Sequence, residues 1–583
     1  MLARLKSLPH GSSEIFDPTR QIRVLVVDPG KPPTPITATF RFVTLKSSTW
    51  QSKNQNQEWN AVSYVWGNQS PLCRITVDGL ERRITQNVFR ILWELRHPVE
   101  KMPLWIDALC INQDDNKEKN IQVAMMRQVY QNARSVIVWL CADPDEASRC
   151  VVDAVQWLDK GLDECSLAKK EPLLTCFRQQ SSDSYCLIPF QRVLKLPWFE
   201  RIWVVQEAAF ARNLLVYLDG RILPWEPLFS GILRFMSYLD AKEAVEASLS
   251  RCYSASRDTG DVALLNGLTM VNLIVGFREW LRDSHFPIPP SGLVAMCRGC
   301  QATEAVDMIY GVSAFFGLKE SSALLRRPFP VNYDVPVAEV YQGFTIWCLQ
   351  NEKCLDVLAQ QRHETGENGG LPTWATNWAK LSTCDFNVAL RRTIPTKKIA
   401  PLSPLHAPKF RTVGSTLILR GYIIDTFERS DSFWIDNYDD WLKCIPSDPT
   451  ANRILFGEEV PTVETLKRIA SRTKENDTLC SHLWRDGTSL ASHEQLRWRI
   501  KRLTSHGLLA VTFSHFHDPP VKICTFYGGR SLFLLRPVGY DELRGKTKYG
   551  IISGECLIDG FENGKGVYVA RKLGLEEMEI HIV

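Results

Sequence analysis

The sequence predicts an α/β protein whose N-terminal half forms a doubly wound, mostly parallel sheet. Short apolar runs at 61–66, 104–111 and 135–140 have the composition of strands that are covered on both faces. Helical patterns lie between these strands, and this order favours right-handed crossovers into a parallel sheet. The chain beyond this sheet is predicted to form a helical middle region and then an α+β C-terminal domain.

The length of 583 residues exceeds what one hydrophobic core supports, so the sequence predicts several domains. We predict a β-hairpin and linker at 1–58 and the α/β domain at 59–222, which carries a polar insertion at 161–189. A mostly helical region at 223–400 and the α+β domain at 401–583 follow.

The composition indicates a soluble protein of the cytoplasm. Charged residues make up 23% of the chain and the net charge is only +4, without a Lys/Arg-rich block, which argues against nucleic-acid binding. No apolar run reaches the roughly 18 residues of a membrane span, and the N-terminus lacks the apolar core of a signal peptide. The 17 cysteines are therefore predicted to be reduced and mostly buried.

The first elements are predicted to be hairpins. Residues 22–30 and 36–43 are strand-like, and prolines and a Pro-Gly pair between them supply a turn. Asp78-Gly79 is a second hairpin signal.

Two helices in this half have predicted starts. Thr85 can cap a helix that places Val88, Leu92 and Leu95 on one side. Asp115 and Glu118 form a capping-box pattern before the next helix.

Later elements follow from the same patterns. Residues 197–211 are predicted to be helical, 214–218 a strand, and 224–351 mostly helical. Past residue 416 the chain is strand-like in pieces, with a helical stretch near 462–504.

A ligand site is expected where the parallel strands end, because open α/β sheets bind ligands beyond the carboxyl ends of their strands. That edge would collect Trp66, Gly67, Asp107 and Asn112. Trp66 and Gly67 would give a flat wall that a planar ring can approach closely. The alternative is a packed indole followed by a glycine that ends the strand.

Two carboxylates lie in apolar surroundings, and each has a structural alternative to a functional role. Asp107 is predicted to lie within the strand 104–111, where it needs a partner, so that a structural pair is favoured over catalysis. Glu207 lies on a helix that is apolar nearly all round, which predicts a raised pKa and nominates Glu207 as a candidate functional residue, although the sequence alone favours a structural role. The alternative is a buried glutamate that binds backbone groups, Arg201 or Arg134.

The chain resembles the fungal heterokaryon incompatibility (HET) family in several segments. The first is the Pro-Gly hairpin, followed by Ser63-Tyr-Val-Trp-Gly67 and Leu104-Trp-Ile-Asp-Ala-Leu-Cys-Ile-Asn-Gln113. The similarity continues through Met126 to Tyr130 and from Trp198-Phe199 to Gln206-Glu207. The HET domain in turn resembles TIR domains, which share the order of an Ile-Asp strand, a helix, a strand and Trp-x-x-x-Glu on a helix.

The resemblance implies a TIR-like fold for residues 59–222 and a role in self/non-self recognition that triggers growth arrest or cell death. It implies NAD⁺ as a substrate rather than a cofactor, with Glu207 as the catalytic carboxylate and Trp203 among the ligand-binding residues. It also implies self-association on activation and a protein partner from an incompatibility or NLR-type system. The alternative is a non-catalytic signalling and self-assembly module with the same fold.

The cysteine spacing gives little support for a metal site. Cys297 and Cys300 form a lone CxxC without a second Cys or His pair at zinc spacing. No metal is therefore predicted.

Overall fold

The structure is a computed structural model of the chain. It describes residues 16–45, 59–68, 70–140, 193–218, 220–229, 259–283, 288–318, 328–359, 370–379, 407–427, 500–503, 509–512, 520–529, 532–542, 544–557 and 566–583. The predicted insertion at 161–189 lies outside these residues, as does most of the helical stretch predicted near 462–504. The end of that stretch is wrong, because residues 500–503 form a strand.

A nine-stranded sheet contains the N-terminal described strands. These are β1 (Gln21–Val27), β2 (Thr37–Thr44), β3 (Asn60–Ser63), β4 (Leu72–Val77), β5 (Leu80–Thr85), β6 (Met102–Trp105), β7 (Val136–Trp139), β8 (Leu214–Leu218) and β9 (Arg221–Pro224). Their spatial order is β5-β4-β2-β1-β6-β3-β7-β8-β9. The predicted strands at 136–139 and 214–218 are thus confirmed.

The sheet is mixed, so the prediction of a mostly parallel sheet is wrong at its flanks. Strands β6, β3, β7 and β8 run parallel in the centre. The pairs β1–β2, β1–β6, β4–β5 and β8–β9 are antiparallel. The two-residue connections of β4–β5 and β8–β9 cannot join parallel neighbours, which need a crossover of a dozen or more residues.

Both predicted hairpins form. Strand β1 pairs with β2 from Gln21–Thr44 to Val27–Ala38, and β1 then pairs with β6, which joins this hairpin to the same sheet as the later strands. Asp78 and Gly79 connect β4 to β5 with φ values of 51° and 75°. Two positive φ values are what a type I′ hairpin turn requires, and Asp-Gly adopts them readily.

The predicted helix starts are confirmed, with one exception. The Thr85 hydroxyl caps α1 (Gln86–Leu95), and the Asp115 carboxylate accepts hydrogen bonds from the first amides of α3 (Asn116–Asn132). Glu118 does not complete the capping box. Its carboxylate instead accepts from the backbone amide of Asn112 at 2.8 Å and pairs with Arg23 of β1. Arg23 is only 2% exposed, and a buried charge without an anion is costly. Glu118 therefore pairs with Arg23 instead of capping α3.

The predicted strand 104–111 is wrong past Trp105. Residues Asp107–Cys110 form a one-turn helix, α2, directly after β6. The Asp107 carboxylate accepts a hydrogen bond from the amide of Ala108 at 2.7 Å, which favours a turn over an extended backbone. A short apolar run does not distinguish a buried strand from a buried helical turn. Asp107 therefore lies at the strand end, not within a strand.

The helical stretch predicted at 197–211 consists of two pieces. Residues Pro197–Glu200 form a 3-10 turn, and α4 spans Val204–Ala209. All six residues of α4 are buried, as the apolar pattern predicts. The helix packs against β3, β7 and α3.

The described part of the middle region is mostly helical, as predicted. Its described helices are α5 (Thr259–Asp283), α6 (Pro290–Met296), α7 (Asp307–Ser313) and α8 (Val337–Asn351). Helices α5 and α7 pack against α4, so the middle region covers the outer side of the Glu207 helix. Gly311 of α7 permits this closeness, because a side chain there would meet Ile202 at 2.9 Å.

The C-terminal described strands form a barrel-like sheet. They are β10 (Phe410–Val413), β11 (Thr416–Phe427), β12 (Ile500–Leu503), β13 (Leu509–Thr512), β14 (Val521–Phe526), β15 (Leu532–Asp541), β16 (Lys546–Leu557) and β17 (Met578–Ile582), with α9 (Gly566–Lys572) before the last. Strand β17 pairs with both β11 and β16, which closes β11, β14, β15, β16 and β17 into a ring.

Within the described part of the chain, every helix is too short or too polar to span a bilayer.

Removing one member of the Arg23–Glu118 pair should destabilise the fold strongly. Both side chains are buried, and Arg23 also donates to the carbonyl oxygen of Cys110 at 3.1 Å. We expect Glu118→Ala to lower the free energy of unfolding by about 3–5 kcal/mol, because it leaves a buried charge without its anion. Chemical denaturation measures this loss.

The control is Glu81→Ala, which breaks the Arg74–Glu81 pair, whose side chains are 68% and 56% exposed. It should change stability by less than about 1 kcal/mol. Equal losses in the two variants would contradict the structural role assigned to Arg23 and Glu118.

Candidate functional site

The ends of two adjacent parallel strands bring polar groups to one edge of the sheet. Ser63 is the last residue of β3, and Tyr64 to Gly67 follow it. Asp107 comes two residues after the end of β6, the parallel neighbour of β3. The carboxyl ends of parallel strands meet at the same edge, which is where open α/β sheets bind ligands.

Glu207 of α4 is held by hydroxyl groups at this edge. The Ser63 hydroxyl hydrogen-bonds to Oε2 of Glu207, and the Tyr130 hydroxyl of α3 bonds to the same carboxylate. The indole nitrogen of Trp198 lies 2.9 Å from Oγ of Ser63. Because an indole N–H can only donate, Ser63 accepts from Trp198 and directs its own proton to Glu207.

The pKa of Glu207 is raised to about 7, mainly because the side chain is buried away from water. Only 2% of the residue is exposed. The charge of Asp107 raises the pKa further, while the positive charge of Arg201 and the hydrogen bonds from Ser63 and Tyr130 lower it. The carboxyl group can therefore exchange its proton near neutral pH, as a general acid or base does.

Asp107 is fixed by Trp66 and by its own turn. Nε1 of Trp66 donates to Oδ2 of Asp107 at 2.9 Å, and the amide of Ala108 donates to Oδ1. The partners of Asp107 are thus a backbone amide and an indole N–H. The Asp107 carboxylate is half-buried, and its negative charge raises the pKa of Glu207.

Tyr64 lies between these two acidic groups. The residue is 1% exposed, and Asp107 is the hydrogen-bond partner of its hydroxyl. Burial, the largest cause, and the charge of Asp107 raise the pKa of Tyr64 well above its usual value. The hydroxyl is therefore a neutral, buried polar group beside the acidic edge.

Arg201 supplies a cation beside this edge. Its Nη1 donates to the carbonyl oxygen of Tyr64, and its charge favours the ionised form of Glu207. Arg201 was one of the two arginines considered as partners of Glu207. The backbone amide of the other, Arg134, bonds to the carbonyl oxygen of Trp59.

The other predicted ligand-binding residues are placed differently. Gly67 is exposed with φ of 67°, and a side chain there would meet Asn87 at 2.8 Å. Oδ1 of Asn112 accepts from the amide of Asp114, within its own loop. Trp203 donates through Nε1 to Asp307 of α7 at 3.1 Å. These three residues do not contact the Glu207 carboxylate, and their ligand-binding roles remain predictions.

The middle region contributes a clamp on the Glu207 helix. Nη1 of Arg278, on α5, donates to the carbonyl oxygens of Ala208 and Ala211 at 2.8 and 2.7 Å. Its guanidinium also pairs with Glu226 at 2.6 Å. A cation that binds the last carbonyls of a helix compensates groups that otherwise lack partners.

Sequence reasoning missed the hydroxyl partners of Glu207 and the clamp. Ser63 is the polar end of an apolar strand, and Tyr130 lies four residues after Met126 on the buried side of α3. Both residues lie within segments that resemble the HET family. The resemblance therefore includes Ser63 and Tyr130 but assigns them no role. Nothing in the local sequence indicates that Arg278 reaches α4. The described residues contain no group of three side chains suited to hold a metal ion.

The comparisons with known proteins agree with the resemblance. The family description "Heterokaryon incompatibility protein (HET)" matches residues 59–207, so the matched segment ends at the candidate carboxylate. Heterokaryon incompatibility protein 6, OR allele, of Neurospora crassa is 26% identical over 375 residues, which cover 54% of this chain and 53% of that protein. The chain thus spans about half the length of this curated relative.

No solved structure matches the chain. The family match covers the segments that build the strand-end site. Residues 59–207 of this chain therefore form a segment that matches the HET family.

Proposed function

We propose that this protein acts in fungal self/non-self recognition and that its HET domain triggers growth arrest or cell death. The Neurospora relative is named for heterokaryon incompatibility, and its similarity to this chain supports the recognition role. We further propose that the domain hydrolyses NAD⁺ at the nicotinamide–ribose bond, as its resemblance to TIR enzymes suggests.

The observation that carries the enzymatic proposal is the environment of Glu207. A buried carboxyl group with a pKa of about 7 lies at the carboxyl edge of parallel strands, between hydroxyl donors and the charges of Arg201 and Asp107. A strongly perturbed acid at such an edge is a candidate functional residue.

The proposed step uses the ionised carboxylate to stabilise positive charge. The bond between C1′ of the ribose and the ring nitrogen breaks, and nicotinamide leaves with the electron pair as a neutral base. The ribose then carries oxocarbenium character, which a nearby carboxylate stabilises. Water adds to C1′ and releases a proton, so the products are nicotinamide, ADP-ribose and H⁺. The Ser63 and Tyr130 hydroxyls would hold the carboxylate in one orientation during this step.

Burial makes the resting chain a poor catalyst under this proposal. With 2% of Glu207 exposed, a ribose reaches the carboxylate only after neighbouring residues move. Such a movement is most simply provided by self-association, in which a second copy displaces part of the cover. The proposal therefore links activity to assembly.

The second candidate function is a non-catalytic signalling and self-assembly module. It is favoured by the completeness of the Glu207 contacts, because Ser63 and Tyr130 already satisfy the carboxylate. Expression in a fungal host separates the two functions. Growth arrest that is lost in Glu207→Gln supports catalysis, and arrest that persists in this variant supports the module.

Glu207 should make folding stability depend on pH. Its pKa is about 7 in the folded chain against 4.5 ordinarily, so protonation stabilises the fold below pH 4.5 and this contribution is lost as the pH rises to about 7. Between about pH 4.5 and 8 we expect the wild type to lose up to about 3 kcal/mol more than Glu207→Gln. Urea unfolding at several pH values measures the difference.

Asp307 and Glu352 also have raised pKa values, but they are present in both proteins and cancel in the comparison. Equal pH profiles for the wild type and Glu207→Gln would show that the pKa of Glu207 is not raised.

NAD⁺ cleavage should depend on Glu207 and on assembly. We expect concentrated or cross-linked wild-type protein to release nicotinamide from NAD⁺, and Glu207→Gln to lose this release by at least about 100-fold. The rate should rise as the pH increases through about 7, because the ionised form is the active one. Chromatographic detection of nicotinamide measures both effects.

Glu352→Gln is the matched control. Glu352 is another buried glutamate whose pKa is raised to about 7, but it lies outside the HET domain. This variant should keep the wild-type rate. No nicotinamide from the assembled wild type, or equal release from Glu207→Gln, rejects the enzymatic proposal.

A further inference from the structure

The CxxC segment of the middle region places two thiols at the end of α6. Cys297 follows the last residue of the helix, and its carbonyl oxygen accepts a hydrogen bond from the amide of Cys300 at 2.9 Å. This bond closes a four-residue turn, whose first and last Cα atoms lie within about 7 Å of each other. The two thiols are also hydrogen-bonded to each other, and both are reduced.

This geometry is suited to a disulfide. A disulfide requires Cα atoms about 4.4–6.8 Å apart and side chains that point toward each other. The hydrogen-bonded turn holds the two Cα atoms close to this range, and the interaction between the two thiols brings the side chains together. The bond can therefore form without unfolding the end of α6.

The two thiols differ in access. Cys297 is fully buried, and the hydrogen bond with Cys300, together with burial, raises its pKa well above the usual value. Cys300 is only partly buried and is the group that an oxidant reaches first. An oxidant must reach a thiol to oxidise it, and Cys300 meets this condition whereas Cys297 does not.

We infer that Cys297 and Cys300 form a reversible dithiol–disulfide site that responds to hydroperoxides. The Cys300 sulfur attacks a peroxide oxygen, the O–O bond breaks, and a sulfenic acid and one water form. The Cys297 sulfur then attacks the Cys300 sulfur, and a second water leaves. Two thiols and one hydrogen peroxide thus give one disulfide and two waters. A dithiol reductant reverses the reaction.

The turn is connected directly to the segment before α4. Gln301, the next residue, bonds through its amide to the carbonyl oxygen of Glu200 and through its carbonyl oxygen to the amide of Ile202, at 2.5 and 2.9 Å. Arg201, between these two partners, is the cation beside Glu207. Closing the disulfide fixes the turn that carries Gln301 and therefore tightens this bridge. The inference does not depend on NAD⁺ cleavage.

The sequence itself makes the disulfide easy to detect. Arg298 lies between the two cysteines, so trypsin separates them into peptides 283–298 and 299–319. In the full-length protein treated with hydrogen peroxide, mass spectrometry should find these peptides linked, and dithiothreitol should release them. Cys300→Ser should abolish the linked species. Cys73→Ser, which removes another partly buried thiol from β4, should leave it unchanged.

Amide hydrogen exchange tests the connection to the HET domain. Oxidation should slow exchange at Ile202 in the wild type and leave it unchanged in Cys300→Ser. Absence of the linked peptides after peroxide treatment overturns the redox site. Linked peptides with unchanged exchange at Ile202 overturn the tightening of the bridge.

Discussion

The burial of the Glu207 carboxyl group is the constraint on which the site depends. An isolated carboxylate in an apolar interior is costly, so each surrounding element must supply compensation. Strand β3 supplies the Ser63 hydroxyl, α3 supplies Tyr130, and the segment before α4 supplies the charge of Arg201. A shift of any one of these elements changes the pKa of Glu207. The positions of these elements therefore determine the protonation of Glu207.

The same constraint extends into the middle region. The carbonyl groups at the end of α4 are bound by Arg278 of α5, and Trp203 at its start donates to Asp307 of α7. Tyr333 also donates to Asp307, at 2.8 Å, so the acidic partner is itself fixed. Both ends of the Glu207 helix are thus held by residues outside the matched HET segment. The middle region therefore helps to hold the Glu207 helix in place.

Local patterns explain which parts of the fold could be predicted. The Thr85 and Asp115 caps and the Asp78-Gly79 turn depend on a few neighbouring residues, and all three are confirmed. The turn at Asp107 was missed because an apolar run fits a strand and a buried helical turn equally well. Ring closure by β17 and the clamp by Arg278 join residues far apart in the chain, which no local pattern records.

Two buried glutamates show why burial alone does not identify a functional residue. Burial raises the pKa of both Glu207 and Glu352 to about 7. The carboxylate of Glu352 accepts from the backbone amide and the hydroxyl of Ser291 at 2.6 and 2.7 Å, which fastens the start of α6 to the end of α8. The hydroxyl partners of Glu207 come from β3 and α3, at a strand edge shared with the half-buried Asp107 and the buried hydroxyl of Tyr64. The burial of Glu352 is explained by its role in fastening the start of a helix. Glu207 faces a strand edge and has no such role, so its burial requires another explanation, of which a bound ligand is the simplest.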